Sequence, residues 1–588
     1  MIAAIGLAAA LLASVVGMVG HVSAQRFQAE MDRPVIQARP GHGRSSQRHR
    51  EPSAPTGAAG GDPGRARMRF VDLARQAGLD YRWTIPGPRP IDALQGIGNG
   101  CAFLDYDNSG DLSVLLVGTN HLALFKGDGH GHFTDVTHRT GLDRFHGHFL
   151  GCAVGDYDGD GYDDLYISGY RTGLLLHNEG GNGFRDVTKQ AGLSPQPWGT
   201  SCAWGDIDGS GRLSLFVGNY VQFDPKKDPR LCPTPGPMSA CSPKAYSALR
   251  GVLYHNEGHG RFRDVTAIWI GSHASGNVLG VAFADYNHSG RQSLYTASDQ
   301  MPGNLLANVG GRFQDKGCSS GTSVDGHGDV HAGMGIDWGD YDNDGRLDLA
   351  VMAFRTEPKC VYRNIGSGIF EEISDTLALT PRTWPYVAFG VKWADFGNDG
   401  WLDLMIANGH VQDNIHDIDR SEAYRQRTQL FHNDHGRLFV DLSASAGLDL
   451  RRPIVGRGLA VGDYDNDGKV DALVVDSEGA PLLLHNDSQD TGHWLSFTLI
   501  GTRSNRDGYG ASVTVTAGGL TQTRWCHADG SYLSSSDKRV HVGLGGASSA
   551  DSVTVRWPDG HRDHFRNVRA DRFYSLREGD RRLERMRP

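Results

Sequence analysis

The sequence predicts an all-β protein in which seven short repeats form the blades of a β-propeller. An acidic phrase recurs seven times, at spacings between 50 and 79 residues, and a period near 50 is typical of propeller blades. Glycine supplies 80 of the 588 residues, about twice the usual ~7%, which indicates many tight turns between short strands. A strand missing from the last repeat is found ahead of the first one, which indicates a closed array of sheets.

Composition excludes several other classes of protein. The glycines follow no collagen period, and their number rules out a long helical bundle or coiled coil. The net charge of -10, from 58 basic and 68 acidic residues, argues against a nucleic-acid partner, which needs a basic face. Eight cysteines are too few for a disulfide scaffold in a chain of this length.

The N-terminal region predicts export. Residues 1–24 begin with an uncharged apolar run and end in a small-residue cleavage site at Ala24, which favours a signal peptide. No Lys or Arg precedes Arg26, so an uncleaved N-terminal membrane anchor stays open as the alternative. Either segment predicts a secreted, periplasmic or cell-envelope location. Residues 25–67 are rich in Pro, Gly, Arg, His and Ser and predict a disordered linker.

The repeats extend over residues 68–490, and the first half of each is an acidic loop that follows an apolar strand. Its clearest forms are GDYDGDGYDD from Gly155, GDYDNDGRLD from Gly339 and GDYDNDGKVD from Gly462. We number each loop from its leading acid as position 1. The seven leading acids are Asp105, Asp156, Asp206, Asp285, Asp340, Asp395 and Asp463.

The second half of each repeat predicts a strand, a glycine-containing turn and another strand, as in LLLHNEGGNGFRDVT from Leu174. After the seventh loop only LLLHN from Leu482 remains. The phrase FVDLARQAGL from Phe70 matches the missing half and has no strand before it. We therefore expect the N-terminal strand to complete the last blade, which leaves no open sheet edge.

Three loops carry acids at positions 1, 3, 5 and 9, and these predict calcium sites. Four carboxylates at this spacing repel one another unless a cation neutralises them, and hard oxygen ligands in a flexible loop suit Ca²⁺. The backbone carbonyl of position 7 is expected to complete each set. The predicted ligands are Asp156, Asp158, Asp160, Tyr162 and Asp164; Asp340, Asp342, Asp344, Arg346 and Asp348; and Asp463, Asp465, Asp467, Lys469 and Asp471. An EF-hand is excluded because its position 12 is a bidentate Glu, whereas these loops have Ile167, Val351 and Val474.

The other four loops have lost acids. The loop at Asp395 has Gly397 at position 3 but keeps Asp399 and Asp403, so a fourth calcium site stays open there. The remaining three loops place Ser at positions 5 and 9, and we expect them to form Asx turns without metal. Their leading acids are Asp105, Asp206 and Asp285.

At these residues the sequence resembles the calcium propellers of the FG-GAP/VCBS type, of which the integrin alpha head is the familiar example. The phrases LIGTRSNRDGYGASVTV from Leu499 and VTVRWPDGHRDHFRNV from Val553 resemble an ASPIC/UnbV domain. The combination resembles the cartilage acidic protein family and its bacterial relatives. The resemblance implies a secreted calcium-binding protein with a small β-rich C-terminal domain over residues 491–580 and a short tail over 581–588.

The cysteines divide into two groups. Cys101, Cys152 and Cys202 each lie four residues before a leading acid, at an apolar strand position, and predict buried thiols. Cys232 and Cys241 lie nine residues apart in a Pro-rich insertion and predict a disulfide in an exported protein. A Cys318–Cys360 bridge stays open, and Cys526 is unassigned.

Other polar clusters have a plain structural interpretation. The loop that contains His327, Asp329 and His331 is expected to be solvated rather than metal-bound, and His410 is expected to make a structural hydrogen bond. In the C-terminal region, Arg506, Asp507 and the WPDG turn from Trp557 are typical of hairpin turns. A contact with a ligand is the second interpretation for these residues.

The P-loop, HExxH and CxxC motifs are all missing from the sequence, and no acid pair or nucleophile set stands out from the residues of the repeats. The leading hypothesis is a non-catalytic binding or adhesion module for an extracellular protein or glycan, since loops on a rigid scaffold carry recognition. Two alternatives stay open. One is a calcium-dependent enzyme that acts on glycans or lipids, and the other is a purely structural envelope protein.

Overall fold

The computed structural model describes residues 68–271 and 276–586, and in this part of the chain the protein is all-β, as predicted. Every α-helix among the described residues is a single turn of four residues. None of these helices is long and apolar enough to cross a membrane. The predicted signal peptide or anchor (1–24) and linker (25–67) lie outside the described residues.

Each repeat supplies antiparallel strands in the order of the chain. The strands up to the end of the third repeat are β1 (Phe70–Asp72), β2 (Cys101–Leu104), β3 (Ser113–Val117), β4 (Leu122–Gly127), β5 (Phe133–Asp135), β6 (His148–Gly155), β7 (Asp164–Asn178), β8 (Phe184–Asp186), β9 (Gln196–Gly205), β10 (Ser214–Asn219), β11 (Val221–Gln222), β12 (Leu231–Cys232), β13 (Ser239–Ala240), β14 (Ser247–Ala248), β15 (Val252–Gly258) and β16 (Arg261–Asp264). The strands of the last four repeats are β17 (Val278–Ala284), β18 (Ser293–Ser298), β19 (Asn304–Val309), β20 (Arg312–Asp315), β21 (Ile336–Gly339), β22 (Asp348–Val351), β23 (Cys360–Gly366), β24 (Ile369–Glu372), β25 (Ala388–Ala394), β26 (Asp403–Asn408), β27 (Gln429–Asn433), β28 (Phe439–Asp441), β29 (Gly456–Gly462), β30 (Asp471–Asp476) and β31 (Leu482–Asn486).

Short helical turns lie between strands, some of them between repeats and others within the insertions. The α-helices are α1 (Ala93–Gly96), α2 (Thr137–Thr140), α3 (Thr188–Ala191), α4 (Thr266–Trp269), α5 (Gly317–Ser320), α6 (Thr380–Thr383) and α7 (Ile415–Ile418). The 3₁₀ turns are Leu142–Arg144, Pro243–Ala245 and Asp449–Arg451.

The sheets follow the repeats closely. Four repeats form complete four-stranded sheets of their own, such as β2-β3-β4-β5 and β21-β22-β23-β24. In the second repeat β7 takes the place of two strands: its first part pairs with β6 and its last part with β8. The strand turns back at Arg171, which has a φ of 55°. Pairing of Tyr170 with Trp198 links the sheets of the second and third repeats.

The N-terminal strand belongs to the sheet of the last repeat. Strand β1 pairs antiparallel with β31, with Phe70 opposite Asn486, and the sheet has the order β1-β31-β30-β29. The predicted pairing of the N-terminal strand with the last repeat is confirmed. Because β1 covers β31, the last repeat presents no unpaired edge on that side.

Aromatic side chains pack neighbouring sheets against each other. In three repeats the tyrosine at position 2 of the acidic loop is buried, and its ring meets a Trp from the next repeat. The ring centroids of Tyr157 and Trp204 lie 6.2 Å apart in a stacked arrangement, and those of Tyr341 and Trp393 lie 6.1 Å apart. Aromatic pairs at this distance add to the free energy gained by burying their area.

Asparagines at the end of the third strands join each repeat to the one before it. Asn364 donates from Nδ2 to the carbonyl of Tyr286 in the preceding acidic loop (2.9 Å) and to that of Leu347 in its own (3.1 Å). Equivalent pairs of hydrogen bonds are made by Asn178, Asn256, Asn308, Asn433 and Asn486. The first repeat has Gly127 instead, and a Cβ there would lie 2.1 Å from the carbonyl oxygen of Leu112.

The C-terminal region forms two further sheets, in the orders β35-β32-β38-β39 and β34-β33-β36-β37. Their strands are β32 (His493–Ile500), β33 (Ser512–Ala517), β34 (Leu520–Trp525), β35 (Val540–Gly545), β36 (Ser549–Arg556), β37 (Arg562–Arg569), β38 (Arg572–Arg577) and β39 (Glu584–Arg585).

The segment between β34 and β35, residues 526–539, lies among the first strands of the repeats. Leu533 accepts a hydrogen bond from the amide of Cys152 (3.0 Å), and the amide of Ser531 pairs with Ile336. The segment bonds to the first strand of every repeat. Its partners there are Cys101, Cys152, Ser201, Phe283, Ile336, Lys392 and Val461. It therefore links the first strands of all seven repeats to the C-terminal region.

The cysteine predictions are confirmed where they were definite. Cys101, Cys152 and Cys202 are buried free thiols, and the one disulfide among the described residues joins Cys232 to Cys241. The alternative of a second bridge is wrong: Cys318 is exposed in α5, whereas Cys360 is buried in β23, and both are free thiols.

Candidate metal-binding loops

The carboxylate at position 1 of every acidic loop accepts hydrogen bonds from backbone amides of the same loop. In the loop of the second repeat, Asp156 accepts hydrogen bonds from the amides of Gly159 (2.7 Å), Asp160 (3.1 Å) and Gly161 (2.7 Å). Gly161 has a φ of 96°, a conformation that side chains disfavour. The leading acids of the other loops accept the amides of positions 5 and 6 in the same way.

The turns predicted at Asp105, Asp206 and Asp285 are thus confirmed. Since the same turn forms with Ser at position 5, turn formation does not require acids at positions 3, 5 and 9. The additional acids of the other loops need a separate explanation.

Carboxylates converge in the three loops that carry four acids. One oxygen from each of positions 1, 3 and 5 lies within 4.8 Å of the other two, a spacing that a shared cation can bridge. The groups are Asp156, Asp158 and Asp160; Asp340, Asp342 and Asp344; and Asp463, Asp465 and Asp467. No such group forms among the described residues of the loop that contains Asp395, Asp399 and Asp403.

Position 9 is fully buried and adjoins a histidine that sequence reasoning missed. Asp164 accepts hydrogen bonds from the amides of Tyr157 (3.2 Å) and Asn178 (2.8 Å). His177 Nδ1 lies 3.3 Å from an oxygen of Asp164 and 3.3 Å from one of Asp158. These three residues form a second cluster of donor atoms.

The seventh repeat has the same cluster, since His485 Nδ1 lies 3.4 Å from Asp465 and 3.2 Å from Asp471. In the fifth repeat Arg363 replaces the histidine and lies 2.8 Å from Asp342, while Asp348 holds the buried position 9. A His-Asn pair recurs at the end of the third strand and could have pointed to a histidine near the acids. Nothing in the sequence showed which loop that histidine faces.

The residues at position 7 lie beside the acids of position 5. The amide of Tyr162 donates to Asp160 (2.9 Å), and the same contact recurs in the other two loops. The Arg346 side chain pairs with Asp344, and Lys469 pairs with Asp467 at 2.8 Å. These side chains partly neutralise the loops of the fifth and seventh repeats.

Burial makes the free carboxylates of these loops resist ionisation. Burial, followed by the charge of Asp507, raises the pKa of Asp156 to about 8. Burial raises the pKa of Asp340, Asp164 and Asp471 to about 7 each. A bound divalent cation would reverse this effect, because it stabilises the ionised form of every carboxylate around it.

The C-terminal region covers the end of the repeats that bears the acidic loops. Asp507 accepts a hydrogen bond from the amide of Asp156, and Lys538 contacts both Asp507 and Asp163. Arg524 donates to the carbonyl of Gly400 at 3.0 Å. The interpretation of Asp507 as a hairpin-turn residue was therefore incomplete, because its carboxylate also bonds to the acidic loop of the second repeat.

The remaining polar clusters behave as structural groups. His331 is buried with Nε2 3.2 Å from Tyr362 Oη, whereas His327 is exposed, so the two do not share a site. His410 is buried and accepts a hydrogen bond from the amide of Gln412 (3.1 Å). Burial lowers the pKa of His410 to about 3, so its ring is neutral at pH 7.

Models of two protein families match segments of the chain. The FG-GAP-like repeat family matches residues 105–167 and 156–217, and the ASPIC and UnbV family matches residues 501–583. Cartilage acidic protein 1 of Mus musculus is 25% identical over 492 residues, which cover 78% of this chain and 70% of that protein. The Homo sapiens protein of the same name is 25% identical over 517 residues, which cover 82% and 71%.

Two solved structures are distantly similar. A lectin of Agrocybe aegerita that recognises non-reducing terminal N-acetylglucosamine has a TM-score of 0.38 and 15% identity, over 66% of this chain and 94% of the lectin. YCF48 from Cyanidioschyzon merolae has a TM-score of 0.37 and 11% identity, over 69% and 99%. The family models thus match FG-GAP-like repeats and, after them, an ASPIC and UnbV domain, as the sequence resemblance implied.

Proposed function

We propose that this chain is a secreted or envelope-associated calcium-binding protein that acts as a non-catalytic binding or adhesion module for an extracellular protein or glycan. Its scaffold is a seven-bladed β-propeller over residues 68–490, followed by a small ASPIC/UnbV domain over 491–580. Residues 1–24 direct export, and 25–67 link them to the propeller.

Seven sets of strands support the propeller. Each repeat contributes first, second and third strands in antiparallel order, and the fourth strand of the last set is β1. The Asn hydrogen bonds join consecutive sets, and residues 526–539 touch the first strand of each one. This pattern is typical of sheets arranged around a common axis.

The convergence of carboxylate oxygens in three loops is the observation that carries the calcium proposal. Those loops have four acids each, and positions 1, 3 and 5 offer oxygens within 4.8 Å of one another. An all-oxygen set in a glycine-containing loop suits Ca²⁺ better than a transition metal. We propose a fourth, weaker site at Asp395, Asp399 and Asp403, where Gly397 supplies no side-chain ligand.

The partner surface is proposed at the opposite end of the repeats. The acidic loops join first strands to second strands, whereas the long insertions 220–251 and 409–428 join second strands to third strands. Antiparallel pairing places these two sets of loops at opposite ends of the sheets. Because the C-terminal region covers the acidic loops, the insertions are the loops left for recognition.

Calcium titration of the full chain, first stripped of divalent ions, tests the proposal. We expect three tight sites and a weaker fourth by isothermal titration calorimetry, and no comparable binding of Mg²⁺, which demands a more regular octahedral shell. Glycan and protein arrays probed with and without Ca²⁺ then test recognition. Absence of calcium binding would overturn the calcium proposal, and absence of any calcium-dependent array signal would overturn the binding module.

A further inference from the structure

A cavity of about 440 Å³ lies at the end of the repeats that is opposite to the acidic loops. Its walls include residues at or just before the start of four first strands, and they are largely apolar. Those residues are Ile97, Leu279, Met334 and Phe389, and Phe354 adds a second aromatic ring. The volume falls in the range of small-molecule sites, ~300–1,000 Å³.

The insertion that contains the Cys232–Cys241 disulfide, residues 220–251, covers one side of this cavity. Cys232, Cys241 and Pro243 line it from that side, and the insertion is fixed at several points. Arg230 pairs with Asp92 at the N-terminus of α1 (2.7 Å). Ser239 is bonded to Asn414, also at 2.7 Å, and Ser242 is bonded to Gln300 at 2.9 Å. The cavity is thus lined by elements from separate parts of the chain, and the insertion is bonded to several of them.

Asp299 is the one charged residue that lines the cavity in the described part of the chain. It is only 9% exposed, and Oδ2 accepts a hydrogen bond from Tyr220 Oη (2.6 Å). Within the described ranges, Oδ1 has no hydrogen-bond partner, and no Lys, Arg or His nitrogen lies within 4.0 Å of the carboxylate.

The position of Asp299 is fixed by its backbone. Its amide donates to the carbonyl of Asn277 (2.9 Å), and Asn277 Nδ2 donates back to its carbonyl (3.1 Å). Burying a carboxylate without a cationic partner is unfavourable, so a buried acid with a free oxygen on an apolar cavity calls for a cation there.

We propose that this cavity binds a small organic amine, whose ammonium group pairs with Asp299 and whose apolar body contacts Phe354, Phe389 and Met334. Charge complementarity selects the ammonium group, and the aromatic rings favour a cationic ligand further. The site is separate from the acidic loops, so it does not depend on the calcium proposal.

Calorimetry on the oxidised full chain at pH 8 tests this inference with 2-phenylethylamine as the probe. Burial raises the pKa of Asp299 to about 6, so the carboxylate is ionised at that pH. The controls are 2-phenylethanol and phenylacetate, which match the probe in size but are neutral and anionic. We expect the amine to bind at least tenfold more tightly than either control.

The variant Asp299→Asn should remove this preference, since an amide oxygen still accepts the Tyr220 hydrogen bond but carries no charge. The matched control is Asp375→Asn, an exposed acid away from the cavity. Equal affinity for amine and alcohol, no saturable binding of the amine, or an Asp299→Asn variant that keeps the preference would each overturn the proposal. The comparison of ligands on the unmodified chain remains decisive even if the variant folds poorly.

Discussion

The carboxylate of Asp507 accepts a 2.7 Å hydrogen bond from the backbone amide of Asp156, the leading acid of a candidate metal loop. Asp507 belongs to the C-terminal region and is itself paired with Lys538. A change in the loop of the second repeat is therefore transmitted directly to the C-terminal region. Calcium binding and the packing of that region are expected to stabilise each other, by the reciprocity of linked equilibria.

Replacing Lys538 by Met should weaken this contact. The substitution leaves Asp163 and Asp507, whose side chains are 3% and 2% exposed, without their shared cation. Loss of one partner from a buried ion pair typically lowers the free energy of unfolding by about 3–5 kcal/mol. Chemical denaturation measures the change. The exposed Lys189→Met serves as control, and a K538M protein as stable as that control would contradict the interpretation.

Replacing Asp340 and Asp344 together by Ala should remove one calcium ion. The double variant takes away positions 1 and 5 of the loop in the fifth repeat, and we expect its melting temperature in calcium to fall by several degrees. Native mass spectrometry gives the stoichiometry. Asp285→Ala with Ser289→Ala alters the same positions of a loop that has no acids at positions 3, 5 and 9, and it should leave the stoichiometry unchanged. An unaltered ion count in the first variant would refute the assignment.

The metal-free protein should lose stability as the pH rises. The pKa values of Asp164, Asp340 and Asp471 are near 7 in the folded chain, against about 3.9 for an unfolded Asp. Between pH 4 and 7 the folded state therefore holds protons that the unfolded state has released, so the free energy of unfolding decreases with increasing pH.

Melting temperatures of calcium-free protein, measured from pH 5 to pH 8, test this sign. Saturating calcium should abolish or reverse the decrease, because the ion favours the ionised carboxylates. A calcium-free protein that becomes more stable over this range would show that these acids are not buried as described.

Replacing Asn364 by Ala should loosen one junction between repeats. The variant leaves the carbonyls of Tyr286 and Leu347 without their donor, and a buried group that loses its hydrogen bond costs about 1–3 kcal/mol. Urea denaturation measures the effect against Asn182→Ala, an exposed asparagine with only local hydrogen bonds. Equal stability of the two variants would mean that the paired hydrogen bonds do not hold the repeats together.

Deleting residues 68–79 should expose the edge of β31. The deletion removes β1, and an unpaired edge strand favours association with other chains. Size-exclusion chromatography should show aggregation, and thermal denaturation should show a lower melting temperature. Deletion of residues 25–67 is the control, since the sequence predicts only a linker there. A monomeric Δ68–79 protein with an unchanged melting temperature would rule out the closing role of β1.

The sequence was sufficient for features that local patterns encode. The pairing of β1 with the last repeat followed from a phrase displaced to the N-terminus, and the Cys232–Cys241 bond followed from a short insertion. The acids of positions 1, 3 and 5 followed from their spacing, because a tight turn brings alternate side chains together.

Features that depend on distant contacts were not predictable. His177 precedes Asn178 in a strand phrase, and its position beside Asp158 depends on how the third strand folds back over the loop. Residues 526–539 carry no strong pattern of their own, although they contact every repeat. Such contacts join segments that are far apart in the chain, which no single segment specifies.

Gly127 makes the junction between the seventh repeat and the first unlike the other six. It provides no amide side chain, so this junction depends instead on β1 and on contacts such as the one between the Phe133 and Tyr464 rings, 5.6 Å apart. Under a mechanical load applied at the N-terminus, we expect the contacts between the seventh and the first repeat to break first. The other six junctions, each with its pair of asparagine hydrogen bonds, would remain intact, and the repeats would form an open, continuous array.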